Sequence, residues 1–229
     1  MQVRTTLQQN LDKLPLLGVL CVSSGLSMGI WGMRFYYSGT STYWFLLWNL
    51  FLAWLPLLSA LLLWGIHQYA PRFTLLQWPL LLGWLAFFPN APYLVTDFVH
   101  LTTRQNVPLW YDLMLIFSFA WNGLILGFTA LWIVQEVLTA QFNRLTSWLV
   151  VGVALASSGF GIYVGRFLRW NSWDLLFNPH SLAIDILSHI ADPLAHPRTL
   201  GVTLLFSSFF AVAYFTVRVL GQVRWQRLS

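Results

Sequence analysis

The sequence predicts an all-α fold, a polytopic transmembrane helical bundle of about six spans. Of the 229 residues, 58% are hydrophobic and only 8% are charged, and the mean hydropathy is +0.65. A soluble domain carries about 25% charged residues, so a chain this poor in charge cannot cover a water-facing surface. The 14 tryptophans and 8 tyrosines suit the membrane–water interface, where these residues collect.

Six apolar stretches are long enough to cross the hydrocarbon core, which needs about 20 mostly apolar residues. Each stretch lacks charge in its middle, and polar segments with Pro, Gly, Asn or Arg separate them. The predicted spans are 15–34, 43–67, 74–95, 109–137, 145–168 and 200–221. We expect residues 1–229 to form one transmembrane helical domain, because the strict alternation of a β-barrel is absent. No sequence repeat of the kind found in inverted-repeat transporters is present.

The basic residues predict the orientation. With six spans, both termini share one side of the membrane. That side holds Arg4, Lys13, Arg72, Arg144, Arg218, Arg224 and Arg227, and the other side holds Arg34, Arg104, Arg166, Arg169 and Arg198. This bias favours a plasma membrane protein with both termini in the cytoplasm. Because the basic residues are scattered singly and form no basic run, no nucleic-acid partner is expected.

Two segments outside the spans have helical spacing of apolar residues. Residues 1–14 are expected to lie as a short helix on the membrane surface. In the long connection 169–199, one helical face is polar, with Ser181, Asp185, Ser188 and Asp192. This pattern predicts an amphipathic segment on the outer surface between spans five and six, and a segment that caps the bundle is the alternative.

The third span contains two prolines three residues apart, Pro89 and Pro92. Each proline removes a backbone donor, so the span is predicted to be broken at Pro89–Pro92. Asn90 between them is expected to cap a new helical segment. Irregular backbone inside a membrane is tolerated only against protein or a wet cavity, so the break should be buried in the bundle.

Polar residues gather toward the predicted outer side. Beyond the break, Tyr93, Asp97, His100 and Arg104 share one helical stripe. No catalytic residue is identified, but acid–base candidates are Asp97, His100 and Asp112. Candidates for substrate binding are Asn90, Tyr93, Arg166, Arg169, Asn171 and Asp174. No cofactor and no metal are expected, because an Asp-x-x-His pair without a stronger ligand motif is a weak metal signal.

The carboxylates are expected to pair with arginines, because an unpaired charge in a membrane is costly. We predict that Asp97 or Asp112 lies within hydrogen-bonding reach of Arg166 or Arg169. Arg169 continues the row of small residues on the fifth span, Ser157, Gly161 and Gly165, and is therefore expected to face a neighbouring helix.

Two segments resemble a known family. They are the run from Phe88 to Asp97, FPNAPYLVTD, and the run from Arg166 to Asp174, RFLRWNSWD. They resemble the signature stretches of a bacterial membrane family named domain of unknown function 1361. The resemblance covers the chain from about the second span to the sixth. It implies a prokaryotic multi-pass membrane protein, and it implies no reaction or substrate.

Three functions from different classes fit these residues. The first is a site, catalytic or binding, for a lipid-linked or anionic ligand at the outer membrane leaflet, with membrane lipid as the partner. The second is a non-catalytic membrane subunit whose charges are structural helix–helix pairs. The third is a small transporter or channel, which a broken helix favours and the absence of a repeat disfavours.

Overall fold

The computed structural model describes residues 14–70, 74–103, 106–171, 174–192 and 194–222 of the chain. The surface helix predicted for the first 14 residues lies outside this part apart from Leu14, and Arg104 of the predicted polar stripe lies outside it as well. The all-α prediction is confirmed, since the described ranges form helices joined by short loops and contain no β-strand.

Five helices within the described ranges are long and apolar enough to cross a membrane by length and composition. They match predicted spans one, two, four, five and six, with bounds that differ by a few residues. They are α1 (Leu14–Ser38), α2 (Trp44–Tyr69), α5 (Leu109–Gln141), α6 (Arg144–Arg166) and α9 (Pro197–Gln222).

The third predicted span is broken, as its prolines predict. Its first part is α3 (Thr74–Phe87), which at 14 residues is too short to cross a membrane alone. A turn at Phe88 and Pro89 leads into the short helix α4 (Asn90–Tyr93), and a 3₁₀ helix (Leu94–His100) follows directly. The chain therefore continues along the bundle in three short pieces.

Asn90 does not cap α4 in the predicted way. Pro89 takes the N-cap position, and Asn90 is the first residue of the helix. The Asn90 side chain instead donates a hydrogen bond of 3.0 Å to the carbonyl of Phe87. The backbone N–H of Ala91, which would bond the carbonyl of Phe87 in a continuous helix, donates to the carbonyl of Phe88 at 3.1 Å instead. Asn90 therefore supplies the partner that the Phe87 carbonyl would otherwise lack at the break.

Helix α5 is the centre of the bundle, with 61% of its most apolar window buried against 11% for α9. It contacts α1, α2, α4, the 3₁₀ helix and α6. Helix α9 packs mainly on α6 and reaches α5 through Tyr214, whose hydroxyl donates a hydrogen bond of 2.7 Å to Gln135. The broken span approaches α5 closely because Gly123 has no side chain. A Cβ atom at Gly123 would collide with the carbonyl oxygen of Ala91.

The connection between α6 and α9 forms α7 (Asp174–Phe177) and α8 (Pro179–Ala191). The predicted amphipathic helix is therefore present as α8. Leu182 is buried and Ile186 is half-buried against the bundle, while Ile184 and Leu187 are exposed. Helix α8 thus caps the end of the bundle at which α1 and α6 end and α2 and α5 begin, which we call the site end.

Candidate functional site

A cavity of about 490 Å³ lies in the bundle at the site end. Its back wall is the broken span, from Leu85 to Tyr93, and α8 covers its top with Leu182 and Ile186. Helix α2 contributes Trp44 to Leu52 and α6 contributes Ser157 to Arg166. A volume of this size is typical of a site for a small molecule.

The cavity is about as long as half of a membrane's hydrocarbon core is thick. Its α2 wall spans nine residues from Trp44 to Leu52, and its α6 wall spans ten from Ser157 to Arg166. At 1.5 Å per residue these walls are about 12–14 Å long, close to the ~15 Å of hydrocarbon in one leaflet. The deep part is lined by Leu52, Leu85, Phe87 and Phe160, and by Ser157, whose hydroxyl donates a hydrogen bond of 2.8 Å to the carbonyl of Ala154. The deep part is therefore largely apolar.

The polar end of the cavity is built around Asp97 on the 3₁₀ helix. Asp97 is fully buried, and its Oδ1 accepts a hydrogen bond from the guanidinium of Arg166. Its Oδ2 accepts a hydrogen bond of 3.1 Å from the side-chain amide of Asn49 on α2. The prediction that Asp97 or Asp112 pairs with Arg166 or Arg169 is therefore confirmed for Asp97 and Arg166.

Arg166 joins the last turn of α6 to the broken span. Its Nε donates to the hydroxyl of Thr96 at 2.8 Å, and one terminal nitrogen lies 2.8 Å from Nε2 of His100. The guanidinium carbon lies 4.5 Å from the centre of the Tyr93 ring. We call Asn49, Tyr93, Asp97, His100 and Arg166 the Asp97 cluster.

The small residues on α6 let the broken span approach. A Cβ atom at Gly165 would lie 2.7 Å from the Tyr93 ring, and one at Gly161 would lie 2.8 Å from the Pro89 side chain. The predicted row of Ser157, Gly161 and Gly165 therefore faces the break within the same chain. This close packing brings Arg166 within reach of Asp97.

Asp112 has a different partner from the one predicted. It pairs with Arg34 at the end of α1, with Nε–Oδ1 at 2.6 Å and a second hydrogen bond of 3.2 Å from Nη2 to Oδ2. Both side chains are 1% exposed. Neither residue lines the cavity, so the acid–base candidate Asp112 belongs to a buried pair between α1 and α5.

The prediction that Arg169 faces a neighbouring helix is wrong. Helix α6 ends at Arg166, so the helical spacing from Ser157 no longer applies three residues later. Arg169 is exposed and takes a left-handed backbone conformation with φ 62°. The turn returns the N–H of Trp170 to the carbonyl of Val164 at 3.2 Å and places Trp170 and Asn171 at the cavity.

Asp174 lies beside the cavity but does not line it. It accepts a hydrogen bond of 2.8 Å from the backbone N–H of Asn171 and one of 2.9 Å from the side chain of Asn178. These bonds, with that of Asn178 the largest contribution, hold the pKa of Asp174 below its usual value. This substrate-binding candidate thus shapes the turn that carries Asn171.

Trp170 attaches helix α8 to the rest of the site. Its indole N–H donates to Oδ2 of Asp185 at 2.8 Å, and Tyr163 on α6 lies 3.4 Å from Nε2 of His189. Asp185 was expected on the polar outer face of α8. Its carboxylate instead points toward Trp170 at the cavity rim, where it accepts the hydrogen bond from the indole.

The chain matches one protein family, described as "Protein of unknown function (DUF1361)", over residues 48–213. The chain belongs to the DUF1361 family. A comparison with curated proteins found no match, and neither did a comparison with solved structures. The DUF1361 match includes the broken span, the Asp97 cluster and most cavity-lining residues, while Arg34 lies before its first residue.

Several site residues of this DUF1361 protein were missing from the sequence-based candidates. Asn49 and Thr96 complete the hydrogen bonds of Asp97 and Arg166. The signal for Asn49 was its position, an amide near the start of an otherwise apolar span. Arg34 was counted only for orientation, because its partner lies 78 residues away along the chain and no local spacing links the two.

The described residues include no group of three His, Cys, Asp or Glu side chains placed to hold a metal ion. Asp97 and His100 both contact the guanidinium of Arg166. Asp112 and Asp174 are held in separate hydrogen-bond networks.

Proposed function

We propose that this protein holds a lipid-type amphiphile from one leaflet of the membrane. The polar head lies at the Asp97 cluster, and the chain occupies the apolar part of the cavity. The observation that carries this proposal is a cavity whose charged pair lies at the site end and whose length equals about half the thickness of the hydrocarbon core.

The cavity walls support a lipid that enters sideways. Behind the broken span lies α5, which closes that side of the cavity. Trp44, Trp48 and Ala86 line the cavity and are themselves exposed, so the front of the cavity meets the surroundings of the bundle at the depth of these residues. In a membrane, those surroundings are lipid chains and head groups.

The hydrogen bonds favour binding over proton transfer. Both oxygens of Asp97 already accept hydrogen bonds from Asn49 and Arg166. A general base must reach the proton that it abstracts, and this carboxylate is held in place by two donors instead. We therefore propose a binding site and assign no acid–base role to Asp97 or His100.

A substitution that fills the cavity tests the proposal. Ala86 lines the cavity and is exposed, so Ala86→Trp adds volume there without disturbing the core. We expect native mass spectrometry of the purified protein to show retained lipid for the wild type and loss of that lipid for Ala86→Trp. The control is Leu149→Trp, at a side chain 71% exposed on α6 and away from the cavity. Equal lipid retention by all three proteins contradicts the proposal.

A structural role for the Asp97–Arg166 pair is the second candidate. It is favoured by the number of contacts that Arg166 makes to the broken span, with Tyr93, Thr96, Asp97 and His100. If the pair is structural, Asp97→Asn lowers the folded yield, and exchanging the two charges partly restores it. If the pair belongs to a binding site, Asp97→Asn leaves the yield intact and removes the bound lipid.

A further inference from the structure

We propose that the head held by the Asp97 cluster is uncharged and rich in hydroxyl groups, as in a glycolipid or another lipid-linked sugar. This inference rests on the proposed function and names the ligand class of the same cavity. It differs from the anionic ligand that the arginines in the sequence suggest.

The charges that line the cavity cancel. Among the described residues around it, Asp97 and Arg166 carry charge, and each is paired with the other. Asp97 is fully buried and the Arg166 side chain is 17% exposed. A charged head would either stay unbalanced beside this pair or take one partner away from the other, and a buried charge without its partner is strongly unfavourable.

His100 is bound to Arg166 and faces the cluster through that contact. One terminal nitrogen of Arg166 lies 2.8 Å from Nε2 of His100. A guanidinium group can only donate hydrogen bonds, so the ring nitrogen is the acceptor in this contact. The charges of Asp97 and Arg166 offset each other within the cluster.

The polar groups suit hydroxyls because a hydroxyl both donates and accepts. The amide oxygen of Asn49 is an acceptor, and Arg166 has five N–H donors, of which Thr96, His100 and Asp97 take one each. Asn90 and Asn171 line the same end. Such a mixture of donors and acceptors without net charge matches a sugar better than a phosphate or an ammonium group.

Aromatic rings surround the same end of the cavity. Trp44, Phe45 and Trp48 on α2 and Trp170 after α6 line it, and Trp44 and Trp48 are 60% and 40% exposed. Indole rings offer a broad apolar face with a polar edge, which fits the apolar face and hydroxyl rim of a sugar ring. The alternative for these tryptophans is anchoring at the membrane surface, and the experiment below separates the two.

The test uses three ligands with one chain and different heads. The full-length protein in phosphatidylcholine nanodiscs is labelled with an alkyl glucoside that carries a photoreactive diazirine in its chain. Dodecyl glucoside, dodecyl phosphate and dodecyltrimethylammonium then compete, and peptide mass spectrometry measures labelling of residues 85–90 and 157–166. We expect the glucoside to compete at roughly tenfold lower concentration than either charged ligand, a difference of about 1.4 kcal/mol.

Two variants complete the test. Trp48→Leu should weaken competition by dodecyl glucoside at least severalfold. Trp121→Leu, at a tryptophan 52% exposed on α5 and outside the cavity lining, should leave that competition unchanged. If tryptophans serve only as membrane anchors, the two variants behave alike, and the aromatic part of the inference is wrong.

The outcomes separate this inference from the proposed function. If dodecyl phosphate or dodecyltrimethylammonium competes at a lower concentration than dodecyl glucoside, the proposal that the head is uncharged is wrong. Equal competition by all three ligands shows that the cavity binds the chain without selecting a head, which also overturns the inference. If no ligand reduces labelling of the cavity residues, the proposed function itself fails.

Discussion

Asp97 and Asp112 are both fully buried and both paired with an arginine, yet the two pairs differ in their surroundings. The Arg34 side chain is 1% exposed, whereas that of Arg166 is 17% exposed and lies at a cavity. Loss of the carboxylate therefore has different consequences at the two positions. Arg34 would be left charged inside the protein, whereas Arg166 would keep Thr96, His100 and the Tyr93 ring and would gain access to the cavity.

This difference predicts the effects of two matched substitutions. Asp112→Asn should destabilise the fold by roughly 3–5 kcal/mol, the usual result of removing one partner from a buried pair. Asp97→Asn should cost clearly less. Thermal unfolding of both purified variants in detergent measures the difference as midpoint temperatures. Equal destabilisation, or a larger effect at Asp97, would show that the Asp97–Arg166 pair serves stability as much as the Arg34–Asp112 pair does.

Arg169 should matter for its backbone and not for its charge. Its left-handed conformation, with φ 62°, costs a residue with a Cβ atom about 1–2 kcal/mol, and glycine avoids that cost. We expect Arg169→Gly to unfold at the same temperature as the wild type or higher. Arg169→Ala and Arg169→Gly should both keep the labelling of the cavity residues. Loss of labelling in both variants would show that the guanidinium of Arg169 does contribute to ligand binding.

At the scale of single residues, sequence reasoning found the pair Asp97–Arg166 and missed the pair Arg34–Asp112. Asp97 and Arg166 lie in segments with several polar residues in a row, which local inspection detects. Arg34 stands alone at the end of an apolar helix, and only the packing of α1 on α5 brings it to Asp112.

Among the helical elements, the broken span is the one that positions the site. Pro89 and Pro92 predicted the break, and the structure replaces a continuous helix with α3, α4 and a 3₁₀ helix. Asp97 lies on the 3₁₀ helix, a geometry that proline spacing does not predict. The segment just before it packs closely on α5 and α6, where Gly123, Gly161 and Gly165 allow the approach of Pro89, Ala91, Tyr93 and Leu94.

The close contact between α4 and α5 predicts opposite results for two glycines. Gly123→Ala places a Cβ atom against the carbonyl of Ala91 and should destabilise the protein by about 1–3 kcal/mol, as overpacking does. Gly152→Ala on α6 meets nothing within 4 Å and should be neutral or slightly stabilising, because alanine favours a helix. The midpoint of thermal unfolding distinguishes them, and a neutral Gly123→Ala would show that the broken span can move away from α5.

For the whole molecule, five spans and one broken span place Leu14 and Gln222, the first and last described residues, at the end opposite to the site end. The seven-to-five bias of basic residues predicts that this side is the cytoplasm. After replacement of Cys21, Ser41→Cys and Thr103→Cys should react with an impermeant thiol reagent on intact cells, and Ser229→Cys should not. Reaction of Ser229→Cys alone would reverse the orientation and turn the cavity toward the cytoplasmic leaflet.

The spans of the molecule could be predicted because a span is recognised from its apolar composition. The cavity could not be predicted, because it depends on how the spans pack against each other. Helix α2 and helix α6 carry its side walls, yet no pattern in either helix predicts a gap between them. The same holds for helix α8. Its polar face could be predicted from the spacing of its residues, but the orientation of Asp185 could not, because it depends on a hydrogen bond from Trp170.

The most direct test is a high-resolution cryo-electron microscopy structure of the full-length protein in lipid nanodiscs. We predict an elongated density between α2 and α6, with its wider end within hydrogen-bonding distance of Asp97 or Arg166 and its narrow end beside Leu85 and Phe160. A cavity without such density, or one closed by direct contact between α2 and α6, would contradict the proposal that this protein holds a lipid-type ligand.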